Sequence, residues 1–211
     1  MDRITIIVIV VSYLLGSIPF GYLLVRIFRG QDVREVGSHN IGATNVARTG
    51  SKGLAVATLI LDVLKGYAAV ATALWLGRPS GGRGFDYSPE HHYLLAALAG
   101  FFAMVGHMFP AWLGFKGGKG VATAVGAFAA IAPRAVLVSL ALFVVIVAIS
   151  RYVSLGSIFG TLVFPFAAWW LNPHTRHITV MFYIVAASLL IVVRHKDNIR
   201  RLVAGNENRL W

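Results

Sequence analysis

Three short stretches of the chain group glycines, hydroxyls, amides and cations in patterns that suit the oxygens of a phosphate. The first is Gly37-Ser38-His39-Asn40-Ile41-Gly42-Ala43-Thr44-Asn45-Val46-Ala47-Arg48. Its Ser38, Asn40, Thr44 and Asn45 can donate to anionic oxygen, and Arg48 adds a fixed positive charge. The same polar residues also cap helices and form turns, and Arg48 has a second use in snorkelling to anionic lipid. The second stretch runs from Gly106-His107 to Phe115-Lys116-Gly117-Gly118-Lys119-Gly120-Val121-Ala122-Thr123. Three glycines around Lys116 and Lys119, directly before a helix, predict bare backbone N–H groups and a positive helix end beside two ammonium groups: an anion cradle. It is not a nucleotide P-loop, because Gly120 follows Lys119 where Ser or Thr is needed and Leu113 occupies the place of the leading glycine. A flexible connector is the plainer reading of those glycines, and a packing role is the plainer reading of His107.

The third stretch is Arg194-His195-Lys196-Asp197-Asn198-Ile199-Arg200-Arg201, followed by Gly205, Asn206 and Glu207. If the preceding helix continues, His195, Asn198 and Arg201 recur every three residues on one face, where a base and a phosphate clamp can stand together. A basic tail on anionic headgroups accounts for the arginines but less well for His195, Asn198 and Glu207. Outside these stretches, Asp62 and Lys65 stand three apart in an apolar run, spaced to neutralise one another. An ionisable group at the bilayer centre costs roughly 2.5 to 3.5 kcal/mol, so the pair either orients helices or lines a polar site.

The elements that must hold these stretches are membrane helices. Of 211 residues 57% are hydrophobic and only 13% charged, with a net charge of +11. Long uncharged runs between basic patches exclude a soluble nucleic-acid binder, which is polar along its length. Cysteine is absent, which excludes disulfides, thiolate metal sites and a cysteine acyl-enzyme. Apolar runs predict an all-α integral membrane protein with a single polytopic domain over 1–211 and seven transmembrane helices, about 4–28, 53–77, 93–115, 121–132, 135–150, 152–171 and 178–193. The fourth is short. Pro133 and Arg134 divide a run from 121 to 150 that is longer than one crossing needs. The stretch from Arg78 to Pro89 reads as an outer loop.

Seven crossings place thirteen of the 19 Lys and Arg residues on one side, five on the other and Lys65 within a span. The positive-inside bias then puts the N terminus outside, the C terminus in the cytoplasm, and all three polar stretches on the cytoplasmic face. A single helix over 121–150 would reverse the last two spans and lose much of that asymmetry.

Together the stretches resemble the bacterial acyl-phosphate:glycerol-3-phosphate acyltransferases, the PlsY family. The first motif of that family is similar to Gly37 through Arg48, the second to Gly106 through Thr123, and the third to His195, Asn198, Gly205 and Glu207. Gly16-Ser17-Ile18-Pro19 and Leu61-Asp62-Val63-Leu64-Lys65-Gly66 also resemble it. The resemblance implies transfer of a fatty acyl group from acyl phosphate to the 1-hydroxyl of sn-glycerol 3-phosphate. The products are lysophosphatidic acid and phosphate, made at the first step of bacterial phospholipid synthesis without a covalent acyl-enzyme.

The resemblance also implies a multi-pass protein of the bacterial inner membrane whose partners are the lipid bilayer and its two substrates, working as a monomer. By the same resemblance Ser38, His39, Asn40, Gly42, Thr44 and Asn45, with Gly117, Gly118, Lys119, Gly120 and Thr123, would hold acyl phosphate. Arg48, Lys116 and Asn198 would hold glycerol 3-phosphate. Ser38, Arg48, Asn198 and His195 are the catalytic candidates; His195 orients or deprotonates the attacking hydroxyl, a proton that substrate phosphate can also accept. Asp62, Lys65, His107 and Glu207 are supporting residues.

Other classes leave fewer of these features explained. Acyltransferases that use His with Asp five positions later lack their residues here, since Thr44, Ala96, Ala97, Trp112, Thr179, Phe182 and Arg200 stand there. A transporter of phosphate or a phosphorylated metabolite would bind near the midplane, where only Asp62 and Lys65 are polar and charged. A lipid-binding scaffold predicts neither activity. No cofactor and no metal is expected: Asp32, Glu35, Asp197 and Glu207 have no cage-like spacing.

Overall fold

A computed structural model describes residues 2–78 and 89–210. The stretch expected as an outer loop falls, for 79–88, outside the described residues. Ten α-helices follow in chain order: α1 (Arg3–Ser17), α2 (Phe20–Arg29), α3 (Ala43–Ala47), α4 (Lys52–Leu76), α5 (Pro89–Met108), α6 (Val121–Ala129), α7 (Pro133–Ser150), α8 (Val153–Leu171), α9 (Ile178–Arg194) and α10 (Lys196–Val203). Among the described residues there is no strand.

Among the described residues, five segments are long and apolar enough to cross a membrane: Arg3–Arg29, Lys52–Leu76, Glu90–Leu113, Pro133–Ser150 and Val153–Leu171. A sixth is α9 with α10, bent by 53° between them. The first expected span is two helices, because Pro19 offers no N–H and biases Ile18 to the extended backbone it adopts. The run from 121 to 150 is two helices, as expected, and Pro133 is the first residue of the second, α7, where its missing N–H is harmless. The expected short span ends at Ala129, not 132. Its nine residues rise about 13.5 Å, less than half a hydrocarbon core of roughly 30 Å.

The chain forms two compact units, Met1–Ala130 and Ile131–Trp211. In the first, α1 packs on α5, and α4 packs on both α5 and α6. The α1–α5 and α4–α6 contacts are each made by reciprocal glycines. A Cβ on Gly16 would strike the Ala103 carbonyl oxygen and one on Gly106 that of Tyr13. Between α4 and α6, a Cβ on Gly66 would strike the Thr123 carbonyl oxygen and one on Gly126 that of Val63. In lipid there is little hydrophobic drive between helices, so backbone approach of this kind is what holds them.

In the second unit α8 packs on α7 and α9. Thr175 Oγ1, fully buried, donates to Ala168 O and Asn172 O, both at 2.7 Å, and closes the turn from α8 to α9. The outward faces carry residues such as Ile149 and Trp170, more than 70% exposed, as a lipid-facing surface should.

Candidate active site

The 37–48 stretch folds around Asn45, which is buried. Its Nδ2 lies 2.8 Å from Val33 O, 2.9 Å from Val36 O and 2.8 Å from Asn40 O, and its Oδ1 accepts the Ser38 N–H at 2.8 Å. The amide of Asn45 is thus engaged by the loop's own backbone and braces the stretch around it. Asn40 makes a smaller brace, its Oδ1 accepting the Gly42 N–H at 2.9 Å. His39 is exposed, and its Nδ1 donates to Arg34 O at 2.7 Å. Thr44, exposed, lies in the first turn of α3.

Gly37 takes φ +59, and a Cβ there would meet Asn45 Oδ1 at 2.5 Å and Arg48 Cδ at 2.8 Å. The stem of Arg48 thus lies across Gly37, beside half-buried Ser38, and its guanidinium end is exposed. Nearby, Arg34 grips Asp32 through Nη2 to Oδ2 at 2.6 Å, and that bond holds the Asp32 carboxyl below its ordinary value. Asp32 is thereby unsuited to act as a base at neutral pH.

The second loop leaves α5 at Met108 and folds back on it. Gly117 donates its N–H to Met108 O at 3.1 Å and Gly118 donates its own to His107 O at 3.0 Å. These amides satisfy the carbonyls that a helix leaves open at its C-terminus, so the expectation of bare N–H groups is corrected for Gly117 and Gly118. The glycines are needed for space. A Cβ on Gly118 would land on His107 Nε2, and one on Gly117 on the His107 carbonyl oxygen. The loop's cations are the exposed Lys116 and the half-buried Lys119, and the N-terminal turn of α6 follows Gly120 at φ +83. Thr123, expected to touch substrate, is fully buried, with no hydrogen-bond partner for Oγ1 among the described residues. Its carbonyl oxygen is the atom that a Cβ on Gly66 of α4 would strike.

The two loops share one core. Val33, Ile41 and Val46 of the first region bury against Val25 of α2 and Ala55 of α4, and Leu113 of the second loop packs on the same cluster. Beneath them lie buried Asp62 and Lys65, with Lys65 Nζ 2.8 Å from Asp62 Oδ1. Lys65 also donates to Ile18 O at 2.8 Å, and His107 Nδ1 stands 3.5 Å from the same Asp62 oxygen.

The third stretch is built within the second unit. The expected continuous helix is corrected, because the chain turns by 53° and His195 sits at the corner between α9 and α10. His195 is buried, and its Nδ1 is 2.8 Å from Ile191 O. A carbonyl only accepts, so Nδ1 carries the hydrogen and Nε2 of the neutral ring carries the lone pair, the tautomer a base at Nε2 requires.

Asn198 and Arg201, one turn apart on α10, both reach Glu207: Asn198 Nδ2 donates to Oε1 at 2.6 Å and Arg201 Nε to Oε2 at 2.7 Å. Ser154 Oγ of α8 adds a third bond to Oε1 at 2.7 Å. Burial pushes the Glu207 carboxyl up, but the bonds from Ser154, Asn198 and Arg201 outweigh it and hold the group below its ordinary 4.5. Ser154 is the partner that sequence reasoning missed. It lies 53 residues from Glu207, and no local spacing signals it.

The family model for glycerol-3-phosphate acyltransferases matches residues 6–205. Among curated relatives, the glycerol-3-phosphate acyltransferase of Agrobacterium fabrum is 46% identical over 205 residues, covering 95% of this chain and 89% of that protein. That of Mesorhizobium japonicum is 44% identical over 205 residues, covering 97% and 95%. Of solved structures, PlsY, described as an integral membrane glycerol 3-phosphate acyltransferase, matches in its glycerol 3-phosphate form. The TM-score is 0.84 at 34% identity, over 98% of this chain and 96% of that one. Its lysophosphatidic acid form matches with a TM-score of 0.81 at 32% identity, over 98% and 95%. With one family spanning nearly the whole length in sequence and in fold, the chain belongs to the glycerol-3-phosphate acyltransferases.

Proposed function

We propose that this enzyme moves a fatty acyl group from acyl phosphate to the 1-hydroxyl of sn-glycerol 3-phosphate, releasing phosphate and lysophosphatidic acid. The observation that carries the reading is the packing of two cation-bearing loops, one with Arg48 and one with Lys116 and Lys119, on a single core. Two phosphate-bearing substrates ask for two neighbouring anion sites, and the lipid-facing helices around them suit an acyl tail. The neighbouring structures named for glycerol 3-phosphate and lysophosphatidic acid forms support the acceptor and the product.

In this account the 1-hydroxyl oxygen of glycerol 3-phosphate attacks the acyl carbonyl carbon, and the bond from that carbon to the bridging phosphate oxygen breaks. Inorganic phosphate leaves with the bonding pair. The hydroxyl proton passes to His195 Nε2 or to a phosphate oxygen. An acyl phosphate is an anhydride with a good leaving group, so no acyl-enzyme is needed. Arg48, Lys116 and Asn198 hold glycerol 3-phosphate. Ser38, His39, Asn40, Gly42, Thr44, Lys119 and Gly120 border the acyl phosphate, with Asn45, Gly117 and Gly118 shaping the loops.

The same account places the chain as a monomeric, single-domain protein of the bacterial inner membrane, with seven crossings, the N terminus outside and the active site cytoplasmic. The uneven distribution of basic residues supports this orientation. Helix α6 is the short crossing. Its packing on α4 and α5 supports this, since irregular backbone at membrane depth is tolerated where protein covers it.

Exchange of labelled inorganic phosphate into acyl phosphate in the absence of glycerol 3-phosphate tests the direct transfer. Direct transfer predicts no exchange; rapid exchange would establish an acyl-enzyme. The anion assignments predict that Arg48→Ala and Lys116→Ala each lower kcat/KM, and unchanged constants in both would withdraw them.

A further inference from the structure

The buried Asp62–Lys65 pair touches one support of each loop. On one side, Lys65 Nζ donates to the carbonyl of Ile18 at 2.8 Å and lies 5.7 Å from the centre of the Phe20 ring. That carbonyl belongs to the residue where α1 ends and Pro19 turns the chain into α2. Two residues past Pro19 comes Gly21, so close to the first loop that a Cβ would strike the Ile41 carbonyl oxygen. On the other side, Asp62 Oδ1 faces His107 Nδ1 at 3.5 Å, and the far edge of that imidazole is the surface on which Gly118 lies. The backbone of His107 also accepts the Gly118 N–H.

We infer that Asp62, Lys65 and His107 are positioning residues that register the two phosphate-binding loops against one another. A span that needed the pair only for packing would be served by apolar residues of the same volume, because burying charges in lipid is unfavourable unless their geometry is used. Here both charges are used at their outer ends, on a helix-terminal carbonyl and on an imidazole; the imidazole meets Gly118 directly, and the carbonyl lies three residues before Gly21, which meets Ile41. Transfer between two bound phosphate compounds depends on their relative placement, which an error of about 1 Å degrades by orders of magnitude. A fixed strut under both loops sets that placement.

The inference rests on the acyl-transfer reading for its kinetic consequence, but not for its structural one. Hydrogen exchange in lipid nanodiscs therefore accompanies kinetics. The double variant Asp62→Asn/Lys65→Met leaves no lone buried charge. In it, amides of 37–48 and 116–120 are expected to exchange at least about tenfold faster, while those of α4 and α5 stay within about twofold of the parent. His107→Gln cuts only one arm and speeds 116–120 alone. In the double variant the KM for both phosphate substrates rises and kcat falls; in His107→Gln the KM also rises for both, by less, because Lys116 and Lys119 share the one loosened loop.

Exchange of 116–120 within about twofold of the parent in either variant, of 37–48 within about twofold in the double variant, or a uniform rise through α4 and α5, overturns the inference. If the double variant does not fold, His107→Gln alone decides it at 116–120. A parent that is inactive with acyl phosphate, combined with the expected exchange pattern, sinks the donor assignment and leaves the strut standing.

Discussion

Asn198 Nδ2 donates to Glu207 Oε1 across 2.6 Å, fastening α10 to the segment that follows it. The same carboxylate takes Ser154 and Arg201, and one residue group thereby ties α8, α10 and the C-terminal segment together. Leu210 N–H, bonded to Arg151 O at 2.8 Å, adds a backbone tie. Because the Glu207 carboxyl is held below 4.5 in the fold, it favours the folded state above that pH. This contribution is lost as acid carries the pH down through the lowered folded value. Glu207→Ala is expected to reduce stability by about 2 to 3 kcal/mol near neutral pH and to flatten the acid limb of the melting temperature. An acid limb identical to the parent's would contradict this.

The reciprocal glycines predict a second pattern. In Gly126→Ala the new methyl meets the Val63 carbonyl, and α6 must move from α4, at an expected cost of about 1 to 3 kcal/mol. Gly53→Ala, with nothing within 4 Å of the added carbon, is expected to be neutral or slightly stabilising. Thermal melting of both variants in one detergent measures the contrast. Equal melting temperatures would mean the close contact is not limiting.

Gly37 makes a kinetic prediction. Its left-handed backbone and its place beneath Arg48 mean that Gly37→Ala displaces the guanidinium without removing it. The KM for glycerol 3-phosphate is expected to rise roughly tenfold, as in Arg48→Lys, which loses the planar fork. A KM like the parent's in Gly37→Ala would detach Arg48 from the stem contact.

His195 is set by its Ile191 bond to present Nε2 as the acceptor in the neutral ring. If Nε2 takes the hydroxyl proton, the pH profile of kcat/KM has an acid limb that disappears in His195→Gln, with kcat down by about 10² to 10⁴. A variant that keeps the limb and most of its turnover would transfer the proton to substrate phosphate.

The long membrane helices were legible in the sequence because each apolar run carries its own signal, from Lys52–Leu76 through Val153–Leu171. The family and the three polar stretches were legible for the same local reason. What misled was partnership. Asn45 looks like a ligand because its chemistry is right, yet its carbonyl partner Val33 lies 12 residues away and becomes visible only when the loop closes. Gly117 and Gly118 look like anion donors until their amides are found on the carbonyls of α5. The corner at His195 has no proline or glycine to announce it. There the chain leaves the apolar register of α9 for an α10 rich in Lys and Arg, and the bend follows that change of surroundings.

The central claim is the donor. Purified protein in lipid is given glycerol 3-phosphate with palmitoyl phosphate, palmitoyl-CoA or palmitoyl-acyl carrier protein, and lysophosphatidic acid and released phosphate are followed. The account predicts product from palmitoyl phosphate alone, with one phosphate released per acyl group transferred. Product from palmitoyl-CoA but not from palmitoyl phosphate would contradict it.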